Sequence, residues 1–249
     1  MKPVHSFGQA ARACMIAAIG ISTFLMAPSA LAQHDHRSME TPAATPTTWS
    51  CGTAGTPAAP TTSGHDMGSM NSSTPAADVE FDQLYIDMML PHHGSIIALA
   101  EVALPRLTDP RLKAMAQNII DTQSAEQAEL TGYREAWYGS GEPDMSEHSM
   151  MLMAKAMPGM GSTDAMMQQM DSTWQVATFC AAADPDLAFI EQVIPHHQMA
   201  IDTSRIALEK AVHPETKVVA EKVIAAQQTE IDALNQIKAE LTGQATPAS

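Results

Sequence analysis

The sequence predicts an all-α chain built as an antiparallel four-helix bundle from two repeated helical hairpins. Three observations carry that expectation. The first is a Pro-His-His stretch that occurs twice, as LPHHGSII around Pro91, His92 and His93 and as IPHHQMAI around Pro195, His196 and His197, 104 positions apart. The second is that the flanks align at this offset without a gap: Asp82 with Asp186, Tyr85 with Phe189, Pro110 with Pro214, Gln123 with Gln227, Glu126 with Glu230 and Leu130 with Leu234. A collinear match of that kind is an internal repeat, and a repeat sets the architecture. The third is that apolar residues recur at three- and four-residue spacing through both halves of each copy, as amphipathic helices require. Two hairpins with one apolar face each bury those faces against one another.

The elements follow in order. Residues 1–32 read as an export signal: Lys2 and Arg12 precede an apolar run from Met15 to Ala27, and Ala30-Leu31-Ala32 offers a small-residue cleavage site after Ala32. The run is too short to span a membrane. No second long apolar run follows, so the expected location is the periplasm or the exterior, with no membrane span once the signal is removed. Residues 33–77 are rich in Thr, Pro, Ala, Ser and Gly and nearly lack aliphatic side chains, which predicts a disordered linker. His34, His36, Met39, His65, Met67 and Met70 punctuate it, either as incidental residues of a tether or as loose collectors of soft metal.

The bundle is expected over residues 78–241. Repeat one, 79–138, opens with Phe81, Tyr85, Met88, His92, Ile96, Leu99 and Ala103 at helical spacing. Pro105 marks the end of this helix. Pro91 inside it removes a backbone hydrogen bond, which predicts a kink or a split. Asp109-Pro110 is a helix start, an N-cap followed by proline at the first helical position. Leu112, Ala116, Ile119, Gln123, Glu126 and Leu130 carry the second helix toward Trp137, and Gly139 and Gly141 stop it. Repeat two, 184–241, follows the same plan. Asp184-Pro185 opens a helix toward Glu209, and His213-Pro214 opens one to Leu241 with Val219, Val223, Ile231, Leu234 and Ile237 on its apolar face. Residues 242–249 read as a loose tail.

Between the repeats lies a methionine-rich linker, 139–183, with nine methionines from Met145 to Met170. Met150, Met153, Met157 and Met160 would share one helical face but for Pro158-Gly159, and a second short helix is expected from about Thr163 to Phe179. Methionine usually serves as an adaptable core filler. Nine in this stretch, in a chain with five Phe, exceed what filling needs, so part of the segment is expected to face a metal. Cys14 leaves with the signal. Cys51 and Cys180 remain, and the sequence leaves both a disulfide and two free thiols open. The formal net charge of −15 becomes −17 once Lys2 and Arg12 are removed. An acidic exported chain argues against nucleic acid as a partner and favours cations.

The chemistry sits in the doubled histidines. Residues three and four apart on a helix share a face. Met88 stands one turn before His92, Met89 one turn before His93, and Met199 three residues after His196. Each first helix therefore projects imidazole and thioether together. Imidazole suits Cu, Zn, Ni and Fe, whereas thioether selects soft ions, Cu(I) first and Ag(I) by extension. Hard ions would need clustered carboxylates instead. Adjacent histidines diverge by about 100° around a helix, so one of each pair can be structural; at least two of the four are expected to bind metal. Gln123-x-x-Glu126 and Gln227-x-x-Glu230, at matching places on the second helices, are candidates to orient the histidines.

The segments FDQLYIDMMLPHH and FIEQVIPHHQMAID, with Gln-x-x-Glu on each following helix and MPGM from Met157 to Met160, resemble the domain-of-unknown-function family that includes the CopM-type periplasmic copper-binding proteins, over roughly residues 79–241. The resemblance implies a ferritin-like four-helix fold that binds Cu(I), Cu(II) or Ag(I). By position it implies the ligand set Met88, Met89, His92, His93, Met157, Met160, His196, His197 and Met199. The expected role is copper sequestration or delivery, with silver as the second ion and a copper transport or efflux protein as the candidate partner. Two other functions stay open. One is a ferritin-like metallo-oxidase, although neither histidine pair has the Glu-x-x-His of di-iron bundles beside it. The other is a bundle that binds a partner through a flexible methionine surface. No Ser-His-Asp, Cys-His or phosphate-loop arrangement marks an enzyme.

Overall fold

The structure, a computed structural model, describes residues 49–52, 79–158 and 163–243. The expected signal, most of the 33–77 linker, Met160 and the tail beyond residue 243 lie outside those residues. Among the described residues seven helices follow in order: α1 (Phe81–Ala103), α2 (Pro110–Tyr138), α3 (Glu147–Ala156), α4 (Thr163–Met170), α5 (Ser172–Ala181), α6 (Pro185–Lys210) and α7 (Pro214–Leu241). The four long ones stand where the repeat places them. Their ends obey the local signals: Asp109 accepts from the Arg111 backbone N–H at 2.8 Å, Asp184 from that of Leu187 at 3.1 Å, and Gly139 closes α2 in the left-handed region at φ 80°. Neither Pro91 nor Pro195 splits its helix.

The methionine-rich linker departs from expectation. It holds three short helices, and the single helix expected from Thr163 to Phe179 is two. The break falls at Asp171, whose carboxylate accepts from the backbone N–H groups of Thr173 and Trp174 at 2.8 and 3.1 Å and so starts a new helix. Upstream, Ser146 caps α3 by accepting from the Ser149 N–H at 3.3 Å. Cys51 and Cys180, left open by the sequence, form a disulfide with their Cα atoms 5.4 Å apart. It fastens the 49–52 segment to α5, where Trp49 and Cys51 pack against the core.

α1 pairs with α2 and α6 with α7 as hairpins, and α1 crosses α6 antiparallel. That direction follows from two contacts: the Tyr85 hydroxyl meets that of Ser204 at 2.9 Å near the start of α1, while Asp186 at the start of α6 meets Thr108, just beyond the end of α1. α3, α4 and α5 then pack on α1, so α1 is covered on nearly every side.

The repeat creates a reciprocal clasp. The Asp82 carboxylate accepts from the backbone N–H groups of Val212 and His213 at 2.7 and 3.1 Å, at the start of α7. Its counterpart Asp186 accepts from those of Thr108 and Asp109 at 2.8 and 3.1 Å, at the start of α2, and also from the Thr108 hydroxyl. Each first helix thus supplies an anion to the positive end of the other repeat's second helix. A second matched pair is unequal. Asp87 and Arg134 form a buried ion pair, and their counterparts Glu191 and Lys238 meet at 3.0 Å on the surface.

Apolar side chains gather in two clusters toward opposite ends of the bundle. One holds Ile96, Leu99, Leu112, Phe179, Phe189 and Leu234; the other holds Leu84, Met88, Met89, Leu130, Met153 and Val223. Between them, at mid-height on all four long helices, lie His92, His93, Gln123, His196, His197 and Gln227, each at most 2% exposed. Asp186→Ala leaves two backbone donors of α2 without their acceptor and is expected to cost about 1–3 kcal/mol. Urea unfolding monitored by circular dichroism measures the loss. Asp82→Ala should cost a similar amount, and Asp82→Asn, which keeps one carbonyl acceptor, should cost less.

Candidate metal centre

Helical spacing brings all four paired histidines into one layer. The His92 and His196 rings meet across the α1–α6 contact with centroids 3.6 Å apart and planes tilted by 33°, and each lies 6.2 Å from the ring of its sequence neighbour. All four are fully buried. The second helices supply carboxylates: His93 Nε2 is 2.9 Å from Glu126 Oε2, and His197 Nε2 is 2.7 Å from Glu230 Oε2. An ionised carboxylate only accepts, so in both rings Nε2 carries the proton and donates it. His196 Nε2 lies 3.1 Å from the Gln169 carbonyl oxygen and 3.0 Å from the Ser95 hydroxyl. A carbonyl also only accepts, so this Nε2 is a donor too.

One consequence is common to these three rings. With Nε2 protonated, Nδ1 carries the lone pair, and in His93, His196 and His197 that atom is buried without a hydrogen-bond partner. His92 lacks a partner at both nitrogens. The carboxamide oxygens and nitrogens of Gln123 and Gln227 are equally unpaired. Buried polar atoms are nearly always hydrogen-bonded, and each orphan costs about 1–3 kcal/mol. Imidazole lone pairs held in a fixed tautomer by carboxylates are the donors a transition metal takes. The donor set therefore fits a metal ion, although no group of three or more His, Cys, Asp or Glu side chains converges as a finished coordination site among the described residues.

The thioethers lie just beyond this layer. Met88 and Met89 are fully buried, and they share one apolar cluster with Met153, Met157, Met166, Met170 and Met199. The repeat is asymmetric at one informative place. Ser95, three residues after His92, hydrogen-bonds His196; its counterpart, three residues after His196, is Met199. One copy thus carries a hydroxyl at this place and the other a thioether. The glutamates of the Gln-x-x-Glu pairs stand where the sequence pattern suggested. The parts played by Ser95 and the Gln169 carbonyl went unforeseen. Ser95 left only the trace of its alignment with Met199, and a backbone carbonyl leaves no trace in a sequence.

Desolvation by burial holds His92 and His196 well below the ordinary imidazole pKa, and neighbouring imidazoles add to the shift. The unfolded chain therefore takes up protons first as pH falls. The stability due to these neutral rings is complete above the unfolded value of about 6.5 and declines below it by about 1.4 kcal/mol per pH unit for each ring. Denaturation of the metal-free protein at pH 7 and 5.5 should show a loss of about 2–3 kcal/mol, most of which disappears in the His92→Phe/His196→Phe variant.

Residues 82–246 match the family model described as "Domain of unknown function (DUF305)". Among solved structures, CopM in the Cu(I)-bound form is 28% identical, with a TM-score of 0.51 over 66% of this chain and 99% of that one. CopM in the Cu(II)-bound form is also 28% identical, with a TM-score of 0.50 over the same shares. A putative secreted DUF305 protein from Streptomyces coelicolor, 18% identical, shares the fold with a TM-score of 0.52 over 68% of this chain and 98% of that one. No curated protein matches the chain. Among the described residues no helix is long and apolar enough to cross a membrane.

Proposed function

This chain belongs to the DUF305 family, and we propose that it is an exported binder of soft metal ions, Cu(I) first and Ag(I) second, that sequesters or delivers them without catalysing a reaction. The observation that carries this reading is the set of orphaned imidazole nitrogens in a fully buried layer, beside a methionine-rich cluster. The copper-bound forms of CopM, a structural relative, agree with it. His92 and His196, in contact at the two-fold axis, are the innermost donors, and His93 and His197 offer their unpaired Nδ1 atoms. Met88, Met89, Met157 and Met199 are the nearby thioethers, and Met160 completes the expected set from outside the described residues.

The roles of the protein groups follow from their chemistry. Neutral imidazole and thioether ligands favour a monovalent soft ion over hard divalent ones. Glu126 and Glu230 fix the tautomer and ring orientation of His93 and His197 and raise their basicity. The apolar clusters on both sides keep water from the layer, which favours a ligand set that needs no hydration. Export past the cytoplasm and a copper transport or efflux protein as recipient fit the acidic chain and its N-terminal apolar run. A metallo-oxidase is less well supported, because carboxylates meet only the outer histidines and by hydrogen bonding.

Isothermal titration with Ag(I) tests the reading. The variant with His92, His93, His196 and His197 all changed to Leu should remain helical and lose the tight site. Glu126→Gln and Glu230→Gln should each weaken it by about 10- to 100-fold. Undiminished affinity in the four-histidine variant would overturn the proposal.

A further inference from the structure

A second concentration of sulfur lies outside the buried layer. A surface groove of about 660 Å³ is lined by Met145, Met150, Met151, Met167 and Met170, with Glu147 as its acidic member. Met151 is 65% exposed and Met167 51%. None of these five belongs to the ligand set implied by the sequence. Large apolar side chains left open to solvent around one depression mark a binding surface. Here five of the eight lining residues are methionines, beside Pro91, Glu147 and Ala154.

We propose that this groove is a separate, all-thioether site that takes up a monovalent soft cation, Cu(I) or Ag(I), from solution. The inference rests on the soft-metal reading above and adds a site to it. Thioethers are neutral, so the ion keeps its charge, and Glu147 supplies the only carboxylate among the groove's lining residues. Methionine has three rotatable side-chain bonds, so several sulfurs on α3 and α4 can swing onto one ion at small cost. Hard cations gain nothing from such donors.

The position ties the groove to the inner layer. Pro91, which directly precedes His92, forms part of its lining. α4 serves both places. Met167 and Met170 line the groove, while the carbonyl of Gln169, between them, accepts from His196 Nε2. Met170 itself is only 9% exposed and belongs to the cluster that contains Met88, Met89 and Met199. An ion held in the groove therefore lies against the helix that covers the buried imidazoles.

Ag(I) titration of the intact chain in chloride-free buffer without thiols tests this while leaving the Cys51–Cys180 bond in place. The Met145→Leu/Met151→Leu/Met167→Leu variant keeps the apolar volume of three exposed positions and removes their sulfur. Wild type is expected to bind one more equivalent than this variant, and silver-edge X-ray absorption should show sulfur alone around that ion. The four-histidine variant should retain the same equivalent. Equal stoichiometry and affinity in wild type and the methionine variant would overturn the groove site while leaving the soft-metal reading intact. Nitrogen scattering around the lost equivalent would overturn it as well. Failure of wild type to bind Ag(I) would remove both.

Discussion

Four imidazoles buried at mid-height of a helical bundle are the constraint on which the rest of this molecule depends. Apolar clusters close the layer from both sides, so its polar atoms must find partners within it. Glutamates from α2 and α7 satisfy one nitrogen each of His93 and His197, and the Gln169 carbonyl satisfies one of His196. Five ring nitrogens are left over. A layer built only for stability would hold apolar residues of similar volume, since partly satisfied polar networks are worse than an apolar core. Its persistence at the matching place in both repeats is the physical reason to read it as a site.

Duplication explains how such a layer arises, and its imperfections explain how the layer gains chemical character. The crossed clasps of Asp82 and Asp186 fix α1 and α6 against the opposite hairpins, so residues aligned in the repeat meet near one axis. His92 and His196 are such a pair. The halves then diverge at particular positions. Ser95 became the hydroxyl partner of His196, whereas Met199 holds the matching place with a thioether. Asp87–Arg134 is buried, while Glu191–Lys238 stayed on the surface, in keeping with the burial of α1 under the linker helices.

Much of this was legible from the chain alone. The doubled Pro-His-His, the gapless alignment and the Asp-Pro starts of α2 and α6 are local signals, and the four long helices obey them. The Gln-x-x-Glu spacing correctly placed glutamates against the outer histidines. The features that were not legible depend on distance or on backbone atoms. The Cys51–Cys180 bond closes across 129 positions. Asp171 stops one helix and caps the next inside a stretch whose periodicity reads as continuous. Asp82 and Asp186 were visible only as an aligned pair, because their acceptor role is set by helix ends contributed by other segments. Pro91 suggested a kink or a split, yet α1 continues through it, as α6 does through Pro195, because packing on several sides holds the chain helical across one missing hydrogen bond.

The linker turns the symmetric bundle into an asymmetric one. By covering α1 with α3, α4 and α5, it seals the layer on one side and leaves exposed methionines on the outer surface. The central claim is that the unpaired ring nitrogens are metal donors. Long-range proton–nitrogen NMR of the imidazoles, recorded without metal and after addition of Ag(I), tests it most directly. His93 and His197 should start as Nε2–H tautomers, and Ag(I) should displace the Nδ1 resonances of the layer while the protons stay on Nε2, donated to Glu126 and Glu230. Imidazole spectra unchanged by an ion that the protein demonstrably binds would contradict it.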